Sequence, residues 1–128
     1  MLSVLIPSFD YDVQPLVFEL HKQLIECKIA FEIKIADDGS KSEKNQQNQS
    51  VNSLKNCYFL ENEANFGRAK NRNQLAANAH FDWLLFIDCD MRIILDDFVL
   101  NYLKAIDETN CDAFFGGITY EIDRKSVV

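Results

Sequence analysis

Short apolar runs alternate with longer amphipathic or polar segments along this chain. The runs at residues 2–6, 31–36, 57–60 and 83–87 each have the length of one strand. Between them, Leu16, Leu20 and Leu24 recur at helical spacing, and residues 68–79 and 95–108 also predict helices. Strands that alternate with helices predict an α/β fold with a mainly parallel open sheet and flanking helices.

Three segments refine this prediction. The polar residues 41–53 predict an exposed loop or a weak, solvated helix rather than a domain boundary, because the strand–helix alternation resumes after them. The run at 83–87 predicts a buried strand, and residues 112–122 predict one or two further strands. A length of 128 residues suits a single domain spanning residues 1–128.

Polar clusters follow four of the predicted strands, and they lie at residues 7–10, 37–40, 62–67 and 88–90. Right-handed crossovers place the carboxyl ends of parallel strands on one edge of the sheet, and ligands bind in the crevice beyond that edge. Four polar clusters at four strand ends therefore predict a ligand site there. Taken singly, each cluster is also typical of an ordinary turn.

Asp88 and Asp90 flank Cys89 at the end of the fourth predicted strand. Two carboxylates one residue apart point to the same side, and paired oxygen donors suit Mg²⁺ or Mn²⁺ that carries a phosphorylated ligand. The alternative is a polar strand end that opens a turn. Cys89 itself is expected to be a small buried apolar side chain on the opposite face.

The other clusters offer groups that a nucleotide needs. Phe9 could pack against a base, Asp37 or Asp38 could accept a hydrogen bond from a base N–H, and Asp88 could accept one from a ribose hydroxyl. The alternative for residues 37–40 is a tight turn.

A basic cluster, Arg68, Lys70 and Arg72, begins the predicted helix at residues 68–79, where the helix dipole also favours anions. A solvated helix face is the alternative reading. Arg72 is expected to be half-buried and to pair with Asp37 or Asp88, which would make it a support of the site.

Charge and composition exclude several classes. The formal net charge of −7 argues against a nucleic-acid-binding protein, and it requires a metal ion or a local basic cluster to attract an anionic substrate. The first apolar stretch is too short for a signal peptide, and no stretch reaches the length of a transmembrane segment. Four widely spaced cysteines predict free thiols and a cytoplasmic location.

Four motifs, in order, resemble those of family-2 glycosyltransferases, which share the GT-A fold, a Rossmann-like nucleotide-binding half. They are the opening strand 2–10, Ile-Ala-Asp-Asp-Gly-Ser at 35–40, Asn-Phe-Gly at 65–67 followed by Arg72-Asn73, and the Asp-Cys-Asp strand end at 88–90. The chain departs from the usual family pattern at four positions, Asp10, Asn71, Leu75 and Met91.

The resemblance implies a role for each matching residue. Pro7, Ser8, Phe9, Asp10 and Asp38 would hold the nucleobase. Gly67 belongs to the matched segment, Arg68 would lie near the base or phosphates, and Asp88 near the ribose and diphosphate. Asp90 would coordinate Mn²⁺ or Mg²⁺, with Asp88 as the second metal-site residue. Arg72 lies in the matched Arg-Asn segment and would belong to the nucleotide-sugar-binding residues.

The implied reaction is metal-dependent transfer of a sugar from a nucleoside diphosphate donor, most commonly UDP-linked, to an acceptor hydroxyl with inversion. Family members usually continue for another hundred residues or more with an acceptor site and a general base. No such base stands out among the downstream carboxylates Asp112, Glu121 and Asp123. We therefore expect a domain that lacks its C-terminal acceptor-binding part, and the acceptor (glycan, lipid or protein) stays open.

Three other functions share part of this pattern. A non-catalytic nucleotide-sugar-binding module, or an inactive fragment, is the main alternative because no base is recognisable. A nucleotidyltransferase would place a glycine-rich basic loop after the first strand. An aspartyl phosphatase would place Asp-x-Asp after the first strand and follow it with Thr, whereas Met91 follows here.

Overall fold

A computed structural model describes residues 1–114 and Gly116. Its centre is an open sheet of four parallel strands in the order β3-β2-β1-β4, which confirms the predicted α/β class. The strands are β1 (Leu2–Ser8), β2 (Phe31–Asp37), β3 (Cys57–Glu61) and β4 (Trp83–Phe86). Since all pair in parallel, their carboxyl ends lie on one edge.

Helices follow each strand in the chain. They are α1 (Gln14–Cys27), α2 (Lys44–Asn48), α3 (Arg68–Ala77) and α4 (Phe98–Glu108), with a 3-10 helix at Gln49–Ser53. Pro15 lies in the first turn of α1, where its missing N–H is not needed. The helix α4 begins three residues later than the apolar pattern predicts.

The two faces of the sheet are packed unequally. The side chains of Val4 and Ile6 on β1, with those of Ile33 and Ile35 on β2, lie in the main core beneath α1 and α4. The alternate residues of the same strands face α3, where Leu5 and Ala36 pack against Leu75 in a smaller cluster. The period-2 alternation of a strand thus supplies both cores from one central sheet.

The predicted strand ends differ in detail. Pro7 does not end β1, which continues to Ser8 and pairs with β2 along its whole length. β4 pairs with β1 only as far as Leu5, so the missing N–H of Pro7 falls beyond that pairing.

The prediction that residues 83–87 form a buried strand is confirmed on one face, where Trp83, Leu85 and Ile87 pack in or against the main core, and wrong on the other. β4 is the last strand on one side of the described sheet, and Leu84 and Phe86, which lie on the same face as Leu5, are exposed.

The prediction of an exposed segment at residues 41–53 holds for most positions and is wrong at three. Residues 44–53 are helical, and the side chains of Asn45, Asn48 and Val51 are buried. Asn48 is fully buried because its amide is fully used: its oxygen accepts the N–H of Val13 and its nitrogen donates to the carbonyl of Tyr11. A polar sequence can therefore be interior when its amides replace backbone partners.

Most of the strand predicted at 112–122 lies outside the described residues, and positions 112–114 are irregular. Among residues 1–114 and Gly116, no helix combines the length and apolar content needed to cross a bilayer.

Candidate functional site

The four polar clusters lie together at the carboxyl edge of the sheet, and backbone hydrogen bonds join the first three. The N–H of Asp38 donates to the carbonyl of Ser8 at 2.9 Å, and the N–H of Asn62 donates to the carbonyl of Asp37 at 2.8 Å. We call the surface formed by residues 7–10, 37–40, 62–68 and 88–90 the rim. Its loops come from four separate strands, as the topology requires.

The β1–α1 loop forms one wall of the rim. Pro7 is half-buried and Ser8 is buried, whereas the Phe9 side chain is 53% exposed. A backbone hydrogen bond from Phe9 reaches the thiol of Cys89, which brings this loop against the end of β4. Phe9 therefore presents an open aromatic surface on the loop that meets the end of β4.

Asp10 is exposed and adopts a left-handed backbone conformation, with φ of 51°. Lys44 at the start of α2 donates to both the carbonyl and the carboxylate of Asp10, each at 3.2 Å. A hydrogen bond from Ser42, followed by the bond from Lys44 and its charge, lowers the pKa of the Asp10 carboxyl. The carboxylate is therefore ionised at neutral pH.

Asp37 is buried and connects two loops of the rim. Its carboxylate accepts the N–H of Asp10 at 3.3 Å, and it accepts the N–H and hydroxyl of Ser40 at 2.9 and 2.7 Å. The role of this side chain in the structure is to hold the backbone.

Asp38 holds the third loop in the same way. One carboxylate oxygen accepts the N–H of Phe66 at 2.8 Å and the side-chain amide of Asn62 at 3.2 Å. The other oxygen accepts the N–H of Gly67 at 2.9 Å. Asp38 is only 6% exposed, so its carboxylate lies below the surface of the rim.

Gly67 and Arg68 begin α3 at the rim. Gly67 has φ of 91° and ψ of 159°, a conformation that only glycine adopts readily. Arg68 is exposed, and the ammonium of Lys70 lies 4.8 Å from the centre of the Phe66 ring. The start of α3 thus adds positive charge to an otherwise acidic edge.

Arg72 forms an ion pair with Asp88, with 2.5 Å between Nη2 and Oδ1. Of the two partners that the sequence suggested, Asp88 is therefore the one used. The guanidinium also lies 5.6 Å from the centre of the Phe86 ring. Arg72 is half-buried and joins α3 to the end of β4.

Asp88 and Asp90 are exposed, while Cys89 between them packs against the main core. Burial raises the pKa of the Cys89 thiol, so this sulfur is a poor metal ligand. No cluster of three or more His, Cys, Asp or Glu side chains suited to a metal exists within the described part of the chain. Two carboxylates nevertheless fit Mg²⁺ or Mn²⁺, because such ions take one or two carboxylates and complete their coordination with water and phosphate oxygens.

Two residues next to the rim carried almost no sequence signal. Asn71 donates to the buried carbonyl of Ala36 and accepts from Asn62, while Lys44 holds Asp10. The one hint was that Asn71 departs from the resembled motif. Two cavities, of about 150 and 310 Å³, lie away from the rim, near Cys27 and Trp83 respectively.

Comparison with known proteins decides the family. A family model described as glycosyl transferase family 2 matches residues 3–126. The chain belongs to this family. One relative is YfnE of Bacillus subtilis (strain 168), which is described as an uncharacterized glycosyltransferase. The two are 32% identical over 103 residues, which are 80% of this chain and 26% of YfnE.

Solved structures agree with that membership. The crystal structure of S. aureus TarS superimposes with a TM-score of 0.68 at 26% identity, over 84% of this family-2 chain and 19% of TarS. A shorter TarS structure in complex with UDP superimposes with a TM-score of 0.63, and the alignment covers 84% of this chain and 32% of that one.

The mannosyltransferase PcManGT from Pyrobaculum calidifontis, in complex with GDP-Man and Mn²⁺, gives a TM-score of 0.62 at 18% identity. The alignment covers 80% of this chain and 31% of that one, and this likeness concerns the fold alone. The family-2 chain thus spans about a fifth to a third of the relatives it matches.

Proposed function

We propose that the rim binds a nucleoside diphosphate sugar, most simply a UDP-sugar, and that the protein transfers the sugar to an acceptor hydroxyl with inversion. The observation that supports this most strongly is that four loops from four strands meet at one edge in a family-2 chain. TarS, at 26% identity, has been solved with UDP and with UDP-GlcNAc, which supports a nucleotide-sugar donor here.

In this proposal each wall of the rim contacts one part of the donor. The exposed ring of Phe9, with the backbone of Pro7, Ser8 and Asp10, packs against the base. Arg68 at the start of α3 attracts the phosphates. The carboxylate of Asp88 accepts a hydrogen bond from a ribose hydroxyl. Arg72 acts through Asp88, whose carboxylate it orients.

We further propose that Asp90, with Asp88, holds Mn²⁺ or Mg²⁺ together with the diphosphate. When bound, the ion would stabilise the negative charge that develops on the departing diphosphate. PcManGT was solved with Mn²⁺, which is consistent with divalent metal use in this fold. The general base and the acceptor stay unassigned, and the single-domain boundary and the cytoplasmic location remain predictions.

Replacing Asp90 with Asn tests the metal role. The substitution removes one anionic oxygen ligand and keeps the size of an exposed side chain. The Kd for UDP in the presence of Mn²⁺ should rise by about tenfold or more, equivalent to about 1.4 kcal/mol, with little change in Tm. Isothermal titration calorimetry measures the first and differential scanning calorimetry the second.

Asp82→Asn is the matched control, because Asp82 is an exposed aspartate just before β4, at the opposite end of that strand. If Asp90→Asn binds UDP as tightly as the wild type, with or without Mn²⁺, the proposed metal role is wrong. Measuring UDP release from UDP-GlcNAc separates the enzyme from a non-catalytic module, which would bind the donor and release no UDP.

A further inference from the structure

The hydrogen bonds of Asp38 differ from those expected of a residue that contacts only the base. Its two carboxylate oxygens accept from two consecutive backbone amides, those of Phe66 and Gly67, at 2.8 and 2.9 Å. We propose that Asp38 is a positioning residue, whose carboxylate fixes the turn at residues 65–67 from which α3 and Arg68 begin. The inference rests on the proposed function, since it concerns how the diphosphate side of the rim is built.

The bonding pattern requires a carboxylate. Each oxygen of Asp38 serves a different amide, so both must be acceptors. An asparagine in the same place has one acceptor oxygen and one NH₂ donor, and it would bring that donor against the N–H of Phe66 or Gly67. A hydrogen bond to an ionised acceptor is also about twice as strong as a neutral one.

The packing around the turn also supports a positioning role for Asp38. Gly39, next to Asp38, lies so close to the loop that a Cβ atom built there would come within 2.4 Å of the carbonyl carbon of Ala64. Gly39 therefore allows the strand-end turn to lie directly on the loop. The Asn62 side chain, which donates to Asp38, also donates to Asn71 in the second turn of α3.

Charge and burial explain why the position suits an aspartate. A carboxylate next to the first turn of a helix interacts favourably with the helix dipole. Asp38 is 6% exposed, and a buried ionised group is stable only when hydrogen bonds replace its hydration. The three bonds from the loop supply that replacement. Phosphate binding at the start of α3 would thus depend on a side chain beneath it.

The test compares a ligand that has a base with one that has none. Kd values for UDP and for inorganic pyrophosphate, both with Mn²⁺, are measured by calorimetry in the wild type, Asp38→Asn and the control Asp82→Asn. Positioning predicts that Asp38→Asn raises both values by the same factor, about tenfold. A loss confined to UDP would mean that Asp38 reads the base, and this outcome, like an absence of any loss, overturns the proposal.

Amide hydrogen exchange provides the second measurement. In the wild-type protein the amides of Phe66 and Gly67 should be protected although Phe66 lies on the surface, and in Asp38→Asn they should exchange faster while those of α1 do not change. Unprotected exchange at both amides of the wild type overturns the proposal even if the variant fails to fold. If the wild type binds neither UDP nor pyrophosphate, the proposed function fails, and the exchange data still decide the role of Asp38.

Discussion

At the scale of single residues, Arg72 illustrates a side chain whose contribution to stability is small and whose position still matters. Its ion pair with Asp88 is roughly half exposed on both sides. Exposed pairs contribute about 0–1 kcal/mol, because water and salt screen the charges. What the pair does provide is a fixed direction for the Asp88 carboxylate at the rim.

Arg72→Ala should therefore separate stability from binding. The free energy of unfolding should fall by no more than about 1 kcal/mol. The Kd for UDP with Mn²⁺ should rise about threefold to tenfold, because Asp88 is no longer oriented. Urea denaturation and calorimetry measure the two effects. Lys22→Ala, at an exposed position of α1, is the control. A large loss of stability with unchanged binding would contradict this reading of Arg72.

At the scale of elements, a buried charge at the start of β2 ties the strands to the segment before β4. Glu32 accepts the hydroxyl of Ser3 at 2.6 Å and the backbone N–H of His80 at 2.7 Å, and it pairs with the His80 ring at 2.9 Å. Burial alone would raise the pKa of Glu32, but these bonds and the nearby Lys34 ammonium outweigh it and lower the pKa. Glu32 is thus a charged structural residue at the edge opposite the rim.

Glu32→Gln should lower the free energy of unfolding at pH 7 by about 1–3 kcal/mol, because one acceptor oxygen becomes a donor. The folded-state pKa lies below the unfolded value, so the wild-type advantage is complete above the ordinary pKa of Glu. It disappears as the pH falls through the lowered pKa. Denaturation curves at pH 7, 4 and 3 measure this, with exposed Glu26→Gln as the control. If the difference in free energy of unfolding between wild type and variant does not change with pH, the charged role of Glu32 is refuted.

Most of the elements could be predicted from apolar periodicity. The exceptions depend on tertiary contacts, which periodicity does not contain. Residues 41–53 contain almost no apolar side chains, yet Asn48 is interior because it bonds to the backbone at Tyr11 and Val13. Hydropathy measures transfer from water and contains no term for such a specific partner. The exposure of β4 likewise depends on its place at the side of the sheet, which is a property of strand order.

The candidate site was predictable to the level of the edge, and beyond it only for the pairing of Arg72 with one of two aspartates. Parallel topology alone brings Asp10, Asp38 and Asp88 to the carboxyl edge of the sheet. Which of them lies on the surface depends on atoms that no sequence pattern specifies. Asp38 is drawn beneath the rim by two amides of a later loop, whereas Asp88 stays exposed beside Arg72.

At the scale of the whole molecule, an acidic chain is proposed to bind an acidic ligand. The net charge of −7 repels a nucleoside diphosphate at long range. Arg68 and Lys70 offset this locally at the start of α3, and a divalent ion would offset it further. The proposal therefore requires that metal and nucleotide bind cooperatively.

This cooperativity can be measured by thermal denaturation. UDP and Mn²⁺ together should raise Tm by more than the sum of the shifts that each produces alone, because each ligand increases the affinity of the other for the native state. EDTA should reduce the combined shift to that of UDP alone. Additive shifts would indicate that the ion and the diphosphate bind at independent places.

The hydrogen bonds that join the loops of the rim exist within the chain itself, because Asp37 accepts from Asp10 and Ser40 and Asp38 accepts from Phe66 and Gly67. The entropy of ordering these loops is therefore lost when the polypeptide folds, and little of it is left to oppose association. Sugar nucleotides would meet a prepared surface, so encounter rather than loop rearrangement would limit the rate of capture.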